Sequence, residues 1–192
     1  HFVQGSRVFV AGSSWQPDEE IFIRYFHNHP DWKLIIAPHV IGEDHLRQIE
    51  RLLQGWNIVR YTKAHEQTAA PTSEGAPSAL IIDCFGLLSS IYRYATVAYV
   101  GGGFGVGIHN VPEAAVYGIP VLIGPNNKGF REAQDLLRMG GCFEITGQTL
   151  FNAVVDRIMT DDTLRQSRGI VCRDYITSNA GASDVIFQTL GL

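Results

Sequence analysis

Short apolar runs and longer amphipathic stretches alternate along the first 145 residues of the chain. The short runs are rich in β-branched residues and have the length of buried strands, whereas the stretches between them repeat their apolar positions with helical period. Such an alternation predicts an α/β domain in which helices cover both faces of a parallel sheet. We predict strands at residues 7–11, 33–37, 57–61, 79–83, 97–100, 120–123 and 142–145, and helices at 17–28, 43–54, 86–94, 111–117 and 130–139.

The strand pattern stops near residue 146, and the remainder of the chain has the period of helices interrupted by polar and glycine breakers. We therefore expect a helical C-terminal tail. The segment 62–78 is rich in Ala, Thr, Ser, Pro and Glu, a composition that predicts either a mobile functional loop or disorder. A chain of 192 residues is long enough to form one domain without a disulfide or metal staple.

Composition narrows the class of protein. The formal net charge of −4 comes from interspersed acids and bases, so no basic face indicates nucleic acid as a partner. The three cysteines are widely spaced, as in reduced intracellular proteins, and the histidines lack metal-ligand spacing, so we predict no metal site. No apolar run is long enough to span a membrane. Because the chain lacks an initiator Met, we expect that it begins at a domain boundary and that an N-terminal partner domain is missing.

Segments that directly follow strands are the candidates for binding, since open parallel sheets bind ligands at the carboxyl ends of their strands. The most unusual is residues 101–110, GGGFGVGIHN. Its glycines permit close backbone approach, and the helix that follows offers N–H groups, so the segment predicts a phosphate or carboxylate cradle; the alternative is a turn without a ligand. Its glycine spacing does not match the dinucleotide fingerprint, which disfavours an NAD site.

Several other positions have two explanations each. Glu113 lies in the first turn of a predicted helix, where the helix dipole favours a carboxylate, or it accepts hydrogen bonds from the vicinal hydroxyls of a ribose. Ser13 or Ser14 caps the helix after the first strand, or the pair holds a phosphate or sugar carboxylate. His39, after the second strand, donates to an anionic sugar or is a loop residue without a role.

One long segment resembles a known family. Residues 99–125, YVGGGFGVGIHNVPEAAVYGIPVLIGP, resemble the signature of the Kdo (3-deoxy-D-manno-octulosonate) transferases. The segment 83–95 upstream and the segments 130–132 and 179–182 downstream fit the same family, and the similarity extends from residue 7 to the end. Leu87 and Asn126 depart from the family, which commonly has Glu and His at these positions.

The resemblance implies one half of a GT-B glycosyltransferase, in which two Rossmann-like domains face one another across a cleft. Residues 1–192 would form the single C-terminal domain, which binds the donor CMP-Kdo, while the acceptor domain and its general base would be absent. The implied reaction transfers Kdo to a lipid A precursor in lipopolysaccharide biosynthesis, without a metal, at the cytoplasmic face of the inner membrane of a Gram-negative bacterium. The isolated domain is expected to be soluble, to bind nucleotide weakly and to be inactive.

Carried over by position, the resemblance implies that Glu113 binds the cytidine ribose, while Gly102, Gly103 and Asn110 approach the phosphate and ribose. The remaining donor-binding residues would be two serines at the phosphate or the Kdo carboxylate, and three residues flanking the cytosine and sugar. These are Ser13 and Ser14, and Pro38, His39 and Gly86. Two alternatives stay open: a UDP-sugar-dependent GT-B glycosyltransferase or epimerase, and a non-catalytic nucleotide-binding domain.

Overall fold

A computed structural model of the protein describes residues 2–3, 5–64 and 77–180, so most of the 62–78 segment and the end of the tail lie outside the described residues. The described part contains one sheet of seven parallel strands in the order β3-β4-β2-β1-β5-β6-β7. The strands are β1 Val8–Ser14, β2 Lys33–Pro38, β3 Ile58–Arg60, β4 Ala79–Ile81, β5 Val97–Val100, β6 Val121–Ile123 and β7 Cys142–Glu144. All seven predicted strands are confirmed.

The predicted helices are confirmed as well, although two of them are shorter than expected. Part of the predicted helix at 86–94 is a 3-10 turn, Tyr92–Tyr94, and a second such turn covers Tyr61–Lys63. The tail is helical up to Asn179, and the described residues end at position 180. The helices are α1 Gln16–Phe26, α2 Glu43–Leu52, α3 Leu88–Ile91, α4 Pro112–Ala115, α5 Arg131–Met139, α6 Gln148–Thr160 and α7 Asp162–Asn179.

Two apolar layers cover the sheet, one on each face. Side chains of β1 alternate between them, because successive residues of a strand point to opposite faces. Phe9 packs in the layer formed with α1, α2 and α6, where its ring lies 4.8 Å from Phe26 and 6.0 Å from Phe151. Val10 belongs to the opposite layer, which includes residues of α4, α5 and α7. The predicted arrangement of helices on both faces is therefore confirmed.

The strand order reverses at β1, which pairs with β2 on one side and β5 on the other. The segments that leave β1, β2 and β5 at their carboxyl ends are consequently neighbours, at the kind of switch point where open α/β sheets bind ligands. No helix among residues 2–3, 5–64 and 77–180 is both long and apolar enough to cross a membrane.

Candidate functional site

A cavity of about 220 Å³ opens at the carboxyl ends of β1, β2 and β4. Four of the nine predicted site residues line it together: Ser13, Pro38, His39 and Gly86. The other described residues that line the cavity are mostly apolar: Ala37, Ile41, Ile82, Cys84, Phe85 and Leu88. Residues separated by more than seventy positions in the sequence therefore meet at one site, as the fold prediction required.

The glycine-rich segment follows β5, and internal packing accounts for several of its glycines. A Cβ atom on Gly101 would lie 2.4 Å from the carbonyl oxygen of Ser13, and one on Gly103 would lie 2.5 Å from the Cα of Gly124. Gly102 has a φ of 93° and would place a Cβ 2.3 Å from the Gly107 carbonyl oxygen. These glycines allow the end of β1 and the segments after β5 and β6 to contact one another through their backbones.

A buried carboxylate of the chain itself accepts a hydrogen bond from a backbone N–H group of this segment. The Gly102 N–H donates to Oδ2 of Asp18 over 3.0 Å, and the Tyr99 hydroxyl donates to Oδ1 over 2.7 Å. Asp18 is fully buried; burial raises its pKa, and its hydrogen bonds oppose this rise. The N–H group of Gly102 therefore holds an internal carboxylate, and binding of a ligand's phosphate or carboxylate by the glycine-rich segment remains a prediction.

Neither predicted serine caps α1, and the reason is that β1 continues through Ser14. The helix cap is Trp15, whose backbone N–H donates to Oδ2 of Asp18 over 2.9 Å. Ser14 is fully buried, and its hydroxyl donates to Oε1 of Glu19 over 2.9 Å. Ser13 lines the cavity with a φ of 51°, a left-handed conformation that is costly for a residue other than glycine.

The buried Glu19 is also held by a second group, since the Nε2 atom of His45 lies 2.8 Å from its Oε2. Burial raises the pKa of Glu19, whereas the bonds from His45 and Ser14 lower it. The hydroxyl of Ser14 is thus engaged inside the domain. A direct contact between Ser14 and a ligand remains a prediction, and Ser13 is the serine that faces the cavity.

Three aromatic rings from different segments stack beside the cavity. The centroid of the His39 ring lies 4.7 Å from that of Trp15 and 4.4 Å from that of His109, with interplanar angles of 22° and 26°. The indole N–H of Trp15 lies 3.4 Å from Nε2 of His109. Burial and the nearby His39 lower the pKa of His109, while Asp18 and Glu113 oppose this shift. His39 connects the cavity to the glycine-rich segment.

Asn110 and Glu113, at the end of the same segment, form a polar pair. The Asn110 side-chain amide donates to Oε1 of Glu113 over 3.1 Å. Glu113 lies in the first turn of α4, as predicted, and is half-buried, while Asn110 is exposed. The second carboxylate oxygen of Glu113 can accept further hydrogen bonds. The pair is near the ring stack, since Glu113 acts electrostatically on His109.

Sequence reasoning missed the roles of Trp15, Asp18 and His109. Asp18 lies three residues after the helix cap, a spacing that indicates capping chemistry, but nothing local indicates its bond to Gly102, 84 positions away. His109 was visible only as one member of the glycine-rich motif. No group of three or more His, Cys, Asp or Glu residues in the described part of the chain could hold a metal ion.

Comparison with known proteins gives relatives but no matching family model. A bifunctional glycosyltransferase/methyltransferase of Fusobacterium nucleatum is 29% identical over 79% of this chain and 23% of its own length. The 3-deoxy-D-manno-octulosonic acid transferases of Chlamydophila psittaci and Aquifex aeolicus are 31% and 30% identical, over 72% and 73% of this chain. The chain spans only 32% and 38% of these two transferases.

Solved structures give the fold. The C-terminal CMP-Kdo binding domain of WaaA from Acinetobacter baumannii superimposes with a TM-score of 0.73 at 16% identity, covering 91% of both chains. HepE from Anabaena, solved with UDP-glucose, superimposes with a TM-score of 0.68 at 12% identity, over 98% of this chain and 50% of HepE. The chain therefore has the Rossmann-like fold of one half of a GT-B glycosyltransferase.

Within that class, the sequence is similar to the 3-deoxy-D-manno-octulosonic acid transferases. This similarity confirms the resemblance predicted from residues 99–125.

Proposed function

We propose that this chain is the donor-binding domain of a Kdo transferase and that its site binds CMP-Kdo. One observation carries the proposal: the cavity at the switch point gathers Ser13, Pro38, His39 and Gly86, and His39 stacks on His109 next to the Asn110–Glu113 pair. A nucleotide-sugar needs an apolar slot for its base, acceptors for its ribose and donors for its phosphate, and these three features adjoin here.

The ribose contact is assigned to Glu113. Asn110 holds one of its carboxylate oxygens, which fixes the orientation of the carboxylate before a ligand arrives. The vicinal hydroxyls of a ribose are two donors at a fixed spacing, and a carboxylate is matched to accept from both. A preorganised carboxylate loses little conformational entropy on binding.

The cytosine is assigned to the cavity, between its apolar walls and His39. The phosphate would then lie toward Ser13 and the ring stack, and Gly102 and Gly103 would adjoin it without side chains in the way. During transfer the CMP phosphate leaves with increased negative charge, and donors held in place by the fold stabilise that charge without reorganising. The general base and the lipid A precursor would belong to an acceptor domain outside this chain, in a protein acting at the inner membrane.

A UDP-sugar is the competing donor, because HepE, solved with UDP-glucose, shares this fold. We therefore propose isothermal titration of the chain with CMP and with UMP, which differ only in the base. CMP is expected to bind more tightly than UMP. Glu113→Gln is expected to weaken CMP binding by roughly 10-fold to 100-fold, because hydrogen bonds to a charged acceptor contribute about 1.5–3 kcal/mol.

Asp44→Asn is the matched control, because Asp44 also lies in the first turn of a helix, α2, but outside the site. It is expected to leave CMP binding unchanged. Tighter binding of UMP than of CMP would favour a UDP-sugar enzyme. Failure of both nucleotides to bind, with the fold intact by circular dichroism, would contradict a donor-binding function for this chain.

A further inference from the structure

The three stacked rings beside the cavity are supplied by three separate segments. Trp15 follows β1, His39 follows β2, and His109 belongs to the glycine-rich segment after β5. The rings meet only because these strands are adjacent at the switch point. A contact of this kind needs the whole fold, and it places two ionisable imidazoles 4.4 Å apart at the proposed phosphate position.

The hydrogen bond between Trp15 and His109 defines the protonation state of the latter. An indole N–H can only donate, so Nε2 of His109 is the acceptor and the ring carries its proton on Nδ1. A neutral His109 keeps this bond, and a doubly protonated one cannot form it. Trp15 therefore opposes protonation of His109 at Nε2.

The charged groups around His109 act in both directions. His39 faces it from the segment after β2, Asp18 from α1 and Glu113 from α4. Burial, the largest effect, favours the neutral ring, and a charge on His39 does the same, whereas the two carboxylates favour the cation. The ten described residues that line the cavity include no lysine or arginine, so an anion bound there meets no permanent positive charge from its walls.

We infer that the ring stack of Trp15, His39 and His109 is the anion-binding element of this site and that His109 takes up one proton when a phosphodiester binds. The inference rests on the proposed function, because it assigns the phosphate of the donor to this stack. The proton comes from solvent and bonds to Nε2 of His109, the indole N–H is released, and the new N–H donates to a phosphate oxygen. Because the second imidazole is so close, a second proton is disfavoured, and the expected uptake is one.

The test is calorimetry with a ligand whose own charge stays constant near neutral pH. CMP is unsuitable, since a phosphate monoester titrates at about pH 6. Cytidine 5′-methylphosphate, a phosphodiester, is the probe, and cytidine is its uncharged counterpart. Titrations in HEPES and in Tris, which differ in ionisation enthalpy, are expected to show uptake of close to one proton for the diester and none for cytidine.

The affinity for the diester is expected to fall about tenfold for each pH unit above the pKa of free His109 and below its pKa in the complex. His109→Asn is expected to abolish both the proton uptake and this pH dependence. Trp15→Phe keeps a stacking ring but removes the indole N–H. His109 should then titrate at higher pH, and the pH dependence should move in the same direction, which histidine NMR resonances can follow.

The chain offers a matched control on the side of the sheet where the strands begin. There the Trp56 indole donates to Nδ1 of His27 over 3.2 Å. His27→Asn removes a histidine with the same kind of partner and should leave proton uptake unchanged. Binding of the diester without proton uptake, or uptake that survives in His109→Asn, would overturn the inference and leave the proposed function standing. Failure of both cytidine and its diester to bind would overturn the two together.

Discussion

A hydrogen bond from a tryptophan indole to a histidine ring occurs at both ends of the strands, in different surroundings. We call the side of the sheet where the strands begin its amino edge and the side where they end its carboxyl edge. At the amino edge the Trp56 indole donates to His27, and the other ring nitrogen of His27 lies 2.7 Å from the Leu52 carbonyl oxygen. At the carboxyl edge the Trp15 indole donates to His109, but here a second imidazole and a fully buried carboxylate adjoin the pair. The first arrangement links α1 to the end of α2 and needs no further explanation.

The comparison shows that energetically unfavourable features, which the packing of the core does not require, lie at the carboxyl edge. The carboxyl edge holds two fully buried carboxylates, Asp18 and Glu19, and a serine with positive φ. Burying a carboxylate is unfavourable unless hydrogen bonds compensate, and backbone strain persists only where the surroundings enforce it. Such features concentrated at one edge are typical of a functional site.

The largest expected effect concerns the buried carboxylate that joins three segments. Asp18→Ala would leave the Gly102 N–H, the Trp15 N–H and the Tyr99 hydroxyl without their acceptor, two of them in the buried region. We expect a loss of about 3–5 kcal/mol in the free energy of unfolding, measured by urea denaturation. Asp31→Ala, at the exposed turn of the amino edge, should cost no more than about 0.5 kcal/mol. Equal losses would remove the contrast between the edges.

A smaller loss is expected where backbones touch. Gly103→Ala would force a Cβ against the backbone of Gly124, which cannot move without displacing β6 and its continuation, so we expect about 3 kcal/mol of destabilisation. Gly141→Ala, before β7 at the amino edge, would meet mainly the Cys172 sulfur and other side-chain atoms, which can shift. We expect about 1 kcal/mol there. Thermal unfolding of the two variants would measure the difference, and a larger loss in Gly141→Ala would contradict it.

The smallest effect should appear in binding alone. The Phe85 side chain lines the cavity yet is 78% exposed, so it is available to stack on a nucleobase. Phe85→Ala is expected to weaken CMP binding by roughly tenfold, since stacking contributes about 1–3 kcal/mol per base, with little change in stability. Tyr94→Ala, which removes a 49% exposed ring before β5, is the amino-edge control for the same titration. Equal binding by the two variants would exclude stacking on Phe85.

The sheet could be predicted because each of its strands is a short apolar run that can be recognised from its own residues alone. Residues 97–100, for example, are wholly buried, and the pattern needs no knowledge of neighbouring strands. The position of the site followed from the same reasoning, since it depends on strand direction alone. Four of the nine predicted residues line one cavity, and the contact of all nine with a ligand remains a prediction.

What remained hidden depends on contacts between distant segments. Local sequence explains a serine before a helix as a cap, and only the extension of β1 through Ser14 shows that Trp15 caps instead. The bond from Trp15 to His109 joins residues 94 positions apart, and no periodicity indicates it. Likewise, a glycine required by a facing backbone, as Gly103 is, looks the same in sequence as a glycine required by a ligand.

The backbone contacts at Gly101 and Gly103 also govern how this edge can be redesigned. The end of β1 and the segments after β5 and β6 are in backbone contact, so an exchange of any one of them between related proteins would have to include the other two as a single unit. The end of β2 and the segment after β4 supply Pro38 and Phe85 to the cavity, and neither residue takes part in those glycine contacts. Because this cavity is the proposed base site, altered base preference is best sought by exchanging the end of β2 and the segment after β4 while the glycine-linked unit stays unchanged.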